Sequence, residues 1–204
     1  MSFMIPDMEN YFRGFIPRRD ALLLELEEEA ARESIPIVGP VVGEFLYILA
    51  RAMGARNILE LGTASGYSAI YLARALPDGG KVITLELNPA MASRGRANFL
   101  RAGLAERVEV REGQALELMA AMTTTFDLIF LDIDKESYAP ALPHCLRLLK
   151  VGGLLIADNV AFAGADAFNR EISRQKSWRA VHLLSFLPQH SPEKDGLTLA
   201  VRVE

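Results

Sequence analysis

Hydrophobic residues follow two different spacings along this 204-residue chain, and the change falls near residue 56. Before it, apolar residues recur three and four positions apart, as in Val42, Leu46 and Leu49, which is typical of amphipathic helices. We predict helices at about 18–34 and 39–53, and a short helix within residues 1–17. Beyond residue 56, short apolar runs alternate with further helical segments.

This alternation predicts an α/β fold with a seven-stranded, mostly parallel sheet and an antiparallel last strand. Strands regularly separated by helices form parallel sheets that are covered on both faces. The runs 128–131 and 154–157 are apolar at every position, as expected for strands buried on both sides. No helix separates the last two strands, which permits antiparallel pairing. We place the strands at 57–61, 81–86, 107–112, 126–132, 153–158, 179–186 and 197–203, and the helices between the first six at 65–76, 89–102, 115–122, 138–149 and 166–175.

Composition places the chain among ordinary globular proteins. With 50% hydrophobic and 24% charged residues, a chain of this length can bury one sizeable core. The net charge of −4 gives no reason to expect tight binding of nucleic acid. A single cysteine, Cys145, excludes an intramolecular disulfide and a multi-cysteine metal site. We see no apolar run of membrane-spanning length and no secretory signal pattern, so we expect a cytoplasmic protein without membrane contact.

The stretch 57–68 combines a strand, a glycine-bearing turn and the start of a helix, which is how α/β sheets form a ligand site at their carboxyl edge. Ala64 stands where a dinucleotide-binding turn places its second glycine, so the backbone is less suited to a closely approaching pyrophosphate. Glu60 would repel a pyrophosphate but attract an amino group. Glu86, at the end of the next strand, is placed to bind ribose hydroxyls. A nucleoside carrying an amino acid, S-adenosylmethionine (SAM), fits this pattern better than NAD.

Two further strands end in side chains that carry oxygen. Asp132 follows the fourth strand, and Asp158 and Asn159 follow the fifth. Parallel strands bring their carboxyl ends to one edge of the sheet, where like charges are costly unless a cation or a hydrogen-bond donor offsets them. Oxygen ligands favour a hard cation, and three protein oxygens suit Mg²⁺ better than Ca²⁺. A structural role as a helix cap is the alternative for each carboxylate.

The chain contains six segments of a known family pattern: 59–68 (LELGTASGYS), 75–81 (ALP followed by GK), 111–116 (REGQAL), 126–138 (FDLIFLDIDKESY), 151–160 (VGGLLIADNV) and 195–200 (DGLTLA). Through them it resembles the cation-dependent class I O-methyltransferases, which include the caffeoyl-coenzyme A and catechol O-methyltransferases. The D-x-D-K-x-x-Y and D-N motifs are specific in combination. The resemblance covers nearly all of residues 35–204. It implies a single domain over 1–204, with N-terminal helices over 1–55 and a Rossmann-like core over 56–204.

The same resemblance implies roles for individual residues. The implied cofactor-binding residues are Glu60, Gly62 and Ser68 at the methionine end of SAM, Glu86 at its ribose, Gly113 and Ala115 beside its adenine, and Asp132. The implied metal ligands are Asp132, Asp158 and Asn159, which would hold Mg²⁺ or another divalent cation such as Ca²⁺ or Mn²⁺. Lys135 is implied as the general base, and Asp132 as its partner in catalysis. The implied substrate is a small aromatic molecule with two adjacent hydroxyls, and the implied assembly is a homodimer joined through the N-terminal helices.

The segments that should border the acceptor pocket depart from the family pattern. The stretch after Asn159 is shorter than usual, and the stretch 186–194 looks longer. Three alternatives therefore stay open: an NAD-dependent oxidoreductase, a non-catalytic cofactor-binding module, and a relative that methylates hydroxylated uridine in tRNA. For the last, basic surface would come from Arg170, Arg174, Lys176 and Arg179.

The remaining candidate residues have ordinary explanations. The histidines His144, His182 and His190 are not spaced as metal ligands, so we expect structural or exposed positions for them. His190 lies in the divergent segment and could touch the substrate. Cys145 and Trp178 are expected to pack in the core.

Overall fold

The structure, a computed structural model, describes residues 3–204. Its strands are β1 (Asn57–Leu61), β2 (Lys81–Glu86), β3 (Val108–Glu112), β4 (Phe126–Leu131), β5 (Leu149–Ala157), β6 (Trp178–Phe186) and β7 (Lys194–Arg202). Its α-helices are α1 (Met8–Arg13), α2 (Ala21–Glu33), α3 (Gly39–Ala52), α4 (Tyr67–Ala75), α5 (Pro89–Arg101), α6 (Ala115–Ala121), α7 (Tyr138–Leu148) and α8 (Asp166–Arg174). Two short 3-10 turns, Lys135–Ser137 and Ala163–Ala165, precede α7 and α8.

The seven strands form one sheet in the order β3-β2-β1-β4-β5-β7-β6. The strands β1 to β5 run parallel to one another, whereas β7 runs antiparallel to both β5 and β6. The predicted α/β fold with an antiparallel last strand is therefore confirmed. The strand order reverses between β1 and β4, which is where sheets of this type bind ligands.

The sheet separates two hydrophobic cores because successive side chains of a strand point to opposite faces. On one face, Ile58 and Leu128 pack with apolar residues of α2, α3, α4 and α5. On the other face, Leu59 and Ile129 pack with residues of α6, α7 and α8. Helices therefore cover both faces of the sheet, as predicted.

Two strands, β5 and β7, begin three or four residues earlier than predicted because pairing with a neighbouring strand extends them. β5 starts at Leu149, which pairs with Phe126 ahead of a shift in register, and Gly152 takes a φ of +82° within the strand. β7 starts at Lys194, which pairs with Phe186. Residues 187–193 alone therefore connect β6 to β7.

The short helix predicted within residues 1–17 is α1, and none of its residues is buried. Glu9 pairs with Lys194 across 2.7 Å, and Arg13 pairs with Glu193, so ion pairs attach α1 to the loop 187–193 and the start of β7. Among residues 3–204, no helix has both the length and the apolar character needed to cross a bilayer.

Candidate active site

A cavity of about 550 Å³ lies at the carboxyl ends of the five parallel strands. It is bordered by the turns that follow β1 to β5, by the start of α4 and by the loop 187–193. Among its lining residues are Gly62, Ser68, Glu86, Gly113, Ala115, Asp132, Lys135, Asp158, Asn159 and His190. The cavity thus brings together every sequence-predicted site residue except Glu60.

The turn between β1 and α4 leaves no room for larger residues at its glycines. Gly62 has a φ of +95°, and a Cβ atom there would lie 2.0 Å from the backbone oxygen of Asp132. Gly66 has a φ of +87°, and its Cβ would lie 2.6 Å from the ring of Phe99. Ala64 also adopts a positive φ, of 44°. The turn therefore packs tightly against the neighbouring segments, which fixes the wall that it forms.

Glu86, predicted at the ribose of SAM, also holds this turn in place. Its Oε2 accepts hydrogen bonds from the backbone nitrogens of Thr63 (3.1 Å) and Ala64 (2.9 Å). Its Oε1 accepts one from the nitrogen of Asn88 at 2.8 Å. Each carboxylate oxygen can accept more than one hydrogen bond. Glu86 can therefore shape the turn and still bind hydroxyls of a ligand in the cavity.

Glu60 is fully buried beneath the turn and does not line the cavity. Its Oε2 accepts a hydrogen bond of 2.6 Å from Thr84, whereas its Oε1 has no hydrogen-bond partner among residues 3–204. Burial raises the pKa of Glu60 to about 7, although the hydroxyls of Ser68 and Thr84 oppose the shift. A buried carboxylate with an unpaired oxygen could accept an ammonium group, but the expected contact with SAM stays a prediction.

Lys135 occupies the opposite part of the cavity, in the 3-10 turn before α7. Its Nζ lies 2.8 Å from Oδ1 of Asp132 and 2.9 Å from the hydroxyl of Tyr138. The Tyr138 hydroxyl donates in turn toward the backbone oxygens of Leu131 (3.1 Å) and Asp158 (2.9 Å). Tyr138 therefore joins the ends of β4 and β5 beneath the amine. The sequence alone predicts no role for Tyr138, although its position three residues after Lys135 places both on one side of a helical turn.

The loop 187–193 inserts His190 into the site. The Nε2 atom of His190 lies 2.9 Å from Oδ2 and 3.1 Å from Oδ1 of Asp158, and both side chains are almost fully buried. Its Nδ1 lies 2.7 Å from the backbone oxygen of Pro192. Burial lowers the pKa of His190, but the hydrogen bond and the charge of Asp158 outweigh it and raise the pKa above its ordinary value. The sequence predicts a structural or exposed position for His190, or a contact with the substrate, and gives no sign of the contact with Asp158.

Asn159 follows with a φ of +52° and an amide held by two acceptors. Its Nδ2 donates to Oδ2 of Asp195 at 2.6 Å and to the backbone oxygen of Ser191 at 3.3 Å. The amide nitrogen is thus turned toward β7 and the loop 187–193. This orientation leaves the carbonyl oxygen Oδ1 as the atom that could bind a ligand.

The side chains Asp132, Asp158 and Asn159 offer a donor set that fits a hard divalent cation. Burial raises the pKa of Asp132, and the nearby charge of Asp158 raises it further, so a cation between the two carboxylates would relieve a repulsion. No group of three His, Cys, Asp or Glu side chains within residues 3–204 is arranged to hold a metal ion. A cation here would therefore depend on two carboxylates and the Asn159 amide, in competition with Lys135 and His190.

The other residues considered from the sequence lie away from the cavity. Cys145 is fully buried, and burial raises the pKa of its thiol to about 12. Trp178 packs in the second core, as expected. His182 contacts Ser173 and Thr198 at the sheet edge. The basic residues Arg170, Arg174, Lys176 and Arg179 are exposed, and Arg170 pairs with Asp166.

Comparison with known proteins points to one family. The family model described as O-methyltransferase matches residues 17–191. The chain is 40% identical to the catechol O-methyltransferase of Niastella koreensis, over 95% of this chain and 96% of that protein. It is 34% identical to caffeoyl-CoA O-methyltransferase 2 of Eucalyptus globulus, over 92% and 84%. Among solved structures, an O-methyltransferase from Bacillus cereus in complex with SAH matches with a TM-score of 0.86 and 34% identity, over 96% of each chain.

Proposed function

The chain belongs to the O-methyltransferase family and is a SAM-dependent enzyme, and on that premise we propose that it methylates one of two adjacent hydroxyls on a catechol-like small molecule with the help of a divalent cation. One observation carries the proposal. Asp132, Lys135, Asp158 and Asn159 line the same cavity as the glycine turn. An acceptor held at one end can thus meet a cofactor held at the other. Membership of this family excludes the NAD-dependent oxidoreductase.

The proposed cofactor region is the turn after β1 together with the ends of β2 and β3. SAH is what SAM becomes when its methyl group has been transferred, so the B. cereus complex supports SAM as the donor. Glu86 would bind the ribose, Gly113 and Ala115 would lie beside the adenine, and Gly62 and Ser68 would border the methionine end. Glu60 would attract the amino group from below the turn.

The acceptor region would be the one that contains Lys135 and the ends of β4 and β5. When bound, SAM supplies an electrophilic methyl group, and a divalent cation acidifies two neighbouring hydroxyls and fixes their orientation. Lys135 would take the acceptor proton on its Nζ atom, provided the amine is neutral at that moment. Asp132, at 2.8 Å, would stabilise the ammonium that results, and Tyr138 would hold Nζ in place.

We propose Asp132, Asp158 and Asn159 as the ligands of Mg²⁺, with Ca²⁺ or Mn²⁺ as other hard cations that this oxygen set could take. The repulsion between the two carboxylates supports this assignment. His190 pairs with Asp158 from the side of the loop and would set the direction of its carboxylate.

The proposal is tested by a methyl-transfer assay with SAM and catechol, in EDTA and after Mg²⁺ is restored. We expect transfer to stop in EDTA and to return with Mg²⁺. Asp158→Ala should lower kcat/KM by at least about 100-fold, the scale set by losing general-base or metal assistance. Asp166→Ala is the matched control because Asp166 is an exposed carboxylate that pairs with Arg170 and does not line the cavity.

Three outcomes would overturn parts of the proposal. Transfer that persists in EDTA, or that survives Asp158→Ala, would refute the role of the cation. Methylation of phenol as readily as of catechol would refute the need for two adjacent hydroxyls. Methylation of tRNA with catechol ignored would move the acceptor to nucleic acid.

We also propose that the enzyme is a cytoplasmic homodimer joined through its N-terminal helices. The exposed rings of Tyr11, Phe12 and Phe15 pack together on one surface, and apolar patches of this kind are commonly covered in an assembly. Light scattering on the chain and on Phe12→Ser should give a dimer and a weakened dimer, and a monomer for the unaltered chain would refute the assembly.

A further inference from the structure

A second cavity, of about 450 Å³, adjoins the candidate active site. We call it the outer groove, and it is lined by Glu27, Ala30, Ala31, Ser34, Ile35, Pro36, Ile37, Gln189 and Ser191. Pro36, Ile37 and Ser191 also line the first cavity. The two spaces therefore lie next to each other at these three residues.

The groove has fixed walls, formed by the end of α2, the link from α2 to α3, and the loop 187–193. A Cβ atom at Gly39, which has a φ of +69°, would lie 2.4 Å from the backbone oxygen of Gln189, so the loop is packed directly against the start of α3. Arg19 donates to the Gln189 side chain at 3.2 Å. Within the loop, the backbone nitrogen of Gln189 donates to Glu193 at 2.9 Å.

The groove meets the active site at its acceptor end. Ser191 lines both spaces, and its backbone oxygen accepts a hydrogen bond from Asn159. The neighbouring His190 contacts Asp158. A ring whose hydroxyls lie beside Asp158 and Asn159 would thus have Ser191 next to it, and Ser191 also lines the outer groove.

The charge of the groove limits what can occupy it. Glu27 is its one titratable side chain, and Arg19 contacts both of its oxygens at 3.0–3.2 Å. The Tyr67 hydroxyl donates to the same carboxylate at 2.6 Å. Within the described part of the chain, residues 3–204, no lysine or arginine lines the groove. The two basic residues of that part that line the inner cavity, Lys135 and His190, already face carboxylates. These walls offer no unpaired cation to a diphosphate or a nucleic-acid backbone.

We propose that the outer groove binds the distal substituent of the acceptor, and that this substituent is uncharged and largely apolar. The inference rests on the proposed function, because it takes the catechol-like ring to lie in the inner cavity. The inference assigns the choice among acceptors to Ala31, Ile35 and the loop 187–193. On this inference the acceptor is not a coenzyme A thioester, because the phosphates of coenzyme A would meet no unpaired cation in the groove.

The test is a series of 4-alkylcatechols, from catechol to 4-hexylcatechol, assayed with SAM and Mg²⁺. Each methylene that enters the groove should raise kcat/KM about fourfold until the groove is filled, since burial of a methylene changes an equilibrium by about that factor. Ala31→Trp places a ring in the groove from an exposed helical position. It should lower the ratio of kcat/KM for 4-hexylcatechol to that for catechol by at least about tenfold, because several methylenes lose their site.

Ala21→Trp is the matched control, since Ala21 is exposed at the other end of α2 and does not line the groove. It should leave that ratio unchanged. A ratio that does not depend on chain length, or that Ala31→Trp leaves intact, would overturn the inference while the proposed function stands. A preference for caffeoyl-CoA over 4-hexylcatechol would overturn it as well.

If no catechol is methylated, the proposed function fails instead. Calorimetry on 4-hexylcatechol and the enzyme loaded with SAH then tests separately whether the outer groove binds the alkyl chain. Binding that Ala31→Trp weakens at least about tenfold supports it, and equal binding to both proteins refutes it.

Discussion

Replacing Glu60 by Gln should remove a loss of stability that the cofactor-free enzyme undergoes as the pH rises. Glu60 is fully buried, and its Oε1 atom lacks a hydrogen-bond partner. Burial is the largest cause that raises its pKa, and the charges of Asp132 and Glu86 add to it. The folded protein therefore prefers the neutral acid, whereas the unfolded chain ionises at the ordinary value.

The size of the effect follows from the two pKa values. The ordinary pKa of the glutamate is 4.5, and in the folded enzyme it is about 7. Between these values the folded state keeps a proton that the unfolded state has released, so the free energy of unfolding falls as the pH rises, by up to about 1.4 kcal/mol per pH unit. By pH 8 the ionised Glu60 should have cost about 3 kcal/mol. Glutamine has nearly the same shape and does not titrate, so Glu60→Gln avoids this cost.

Urea denaturation of both proteins without SAM, from about pH 4.5 to about pH 8, measures the effect. The gain in unfolding free energy from Glu60→Gln should increase by about 3 kcal/mol across this range. Glu28→Gln, on the exposed face of α2, serves as the control and should give a difference that does not change with pH. A difference for Glu60→Gln that is flat over the whole range would refute the reasoning. SAM binding should weaken about tenfold or more in Glu60→Gln, because a hydrogen bond to a charged group is lost.

Three further changes test other parts of the site. Lys135→Met should lower kcat by about 100- to 10,000-fold, because it removes the base that takes the proton of the acceptor, and SAM binding measured by calorimetry should be kept. Activity within a few-fold of the unaltered enzyme would contradict this role. Tyr138→Phe should lower the free energy of unfolding by about 1–3 kcal/mol, because the buried hydroxyl forms hydrogen bonds with two backbone oxygens and with Lys135. An unchanged urea midpoint would show that these hydrogen bonds contribute nothing to stability. Gly62→Ala should cost well over about 2 kcal/mol, since its Cβ would overlap the backbone of Asp132. Gly54→Ala, also at a positive φ but with open space around it, should cost only about 1 kcal/mol, and equal losses of melting temperature would remove the clash as the cause.

The order of helices and strands could be predicted from the sequence because it depends on local patterns. The strands β1 and β2 have the bounds expected from their apolar runs. The glycines at 62 and 66 marked the turn, and both adopt the positive φ that glycine tolerates best. Parallel strands then bring Asp132, Asp158 and Asn159 to one edge of the sheet without further information.

The limits of β5 and β7 could not be predicted because they depend on pairing between strands. Leu149 and Lys194 extend their strands only because Phe126 and Phe186 lie opposite them. A stretch such as 149–152 has no strong preference of its own, and Gly152 would ordinarily suggest a turn. Its neighbour in the sheet decides the outcome.

The sequence by itself determined the fold class, the glycine turn and the polar side chains at the ends of β1, β2, β4 and β5. Only the tertiary structure decided that His190 contacts Asp158, 32 residues away, and that Gln189 lies against Gly39 beside the outer groove. The physical reason is that periodicity and turn chemistry act over a few residues, whereas these contacts depend on the path of the loop 187–193 across two other elements. The acceptor side of the enzyme therefore depends on long-range packing, and the cofactor side largely on local sequence.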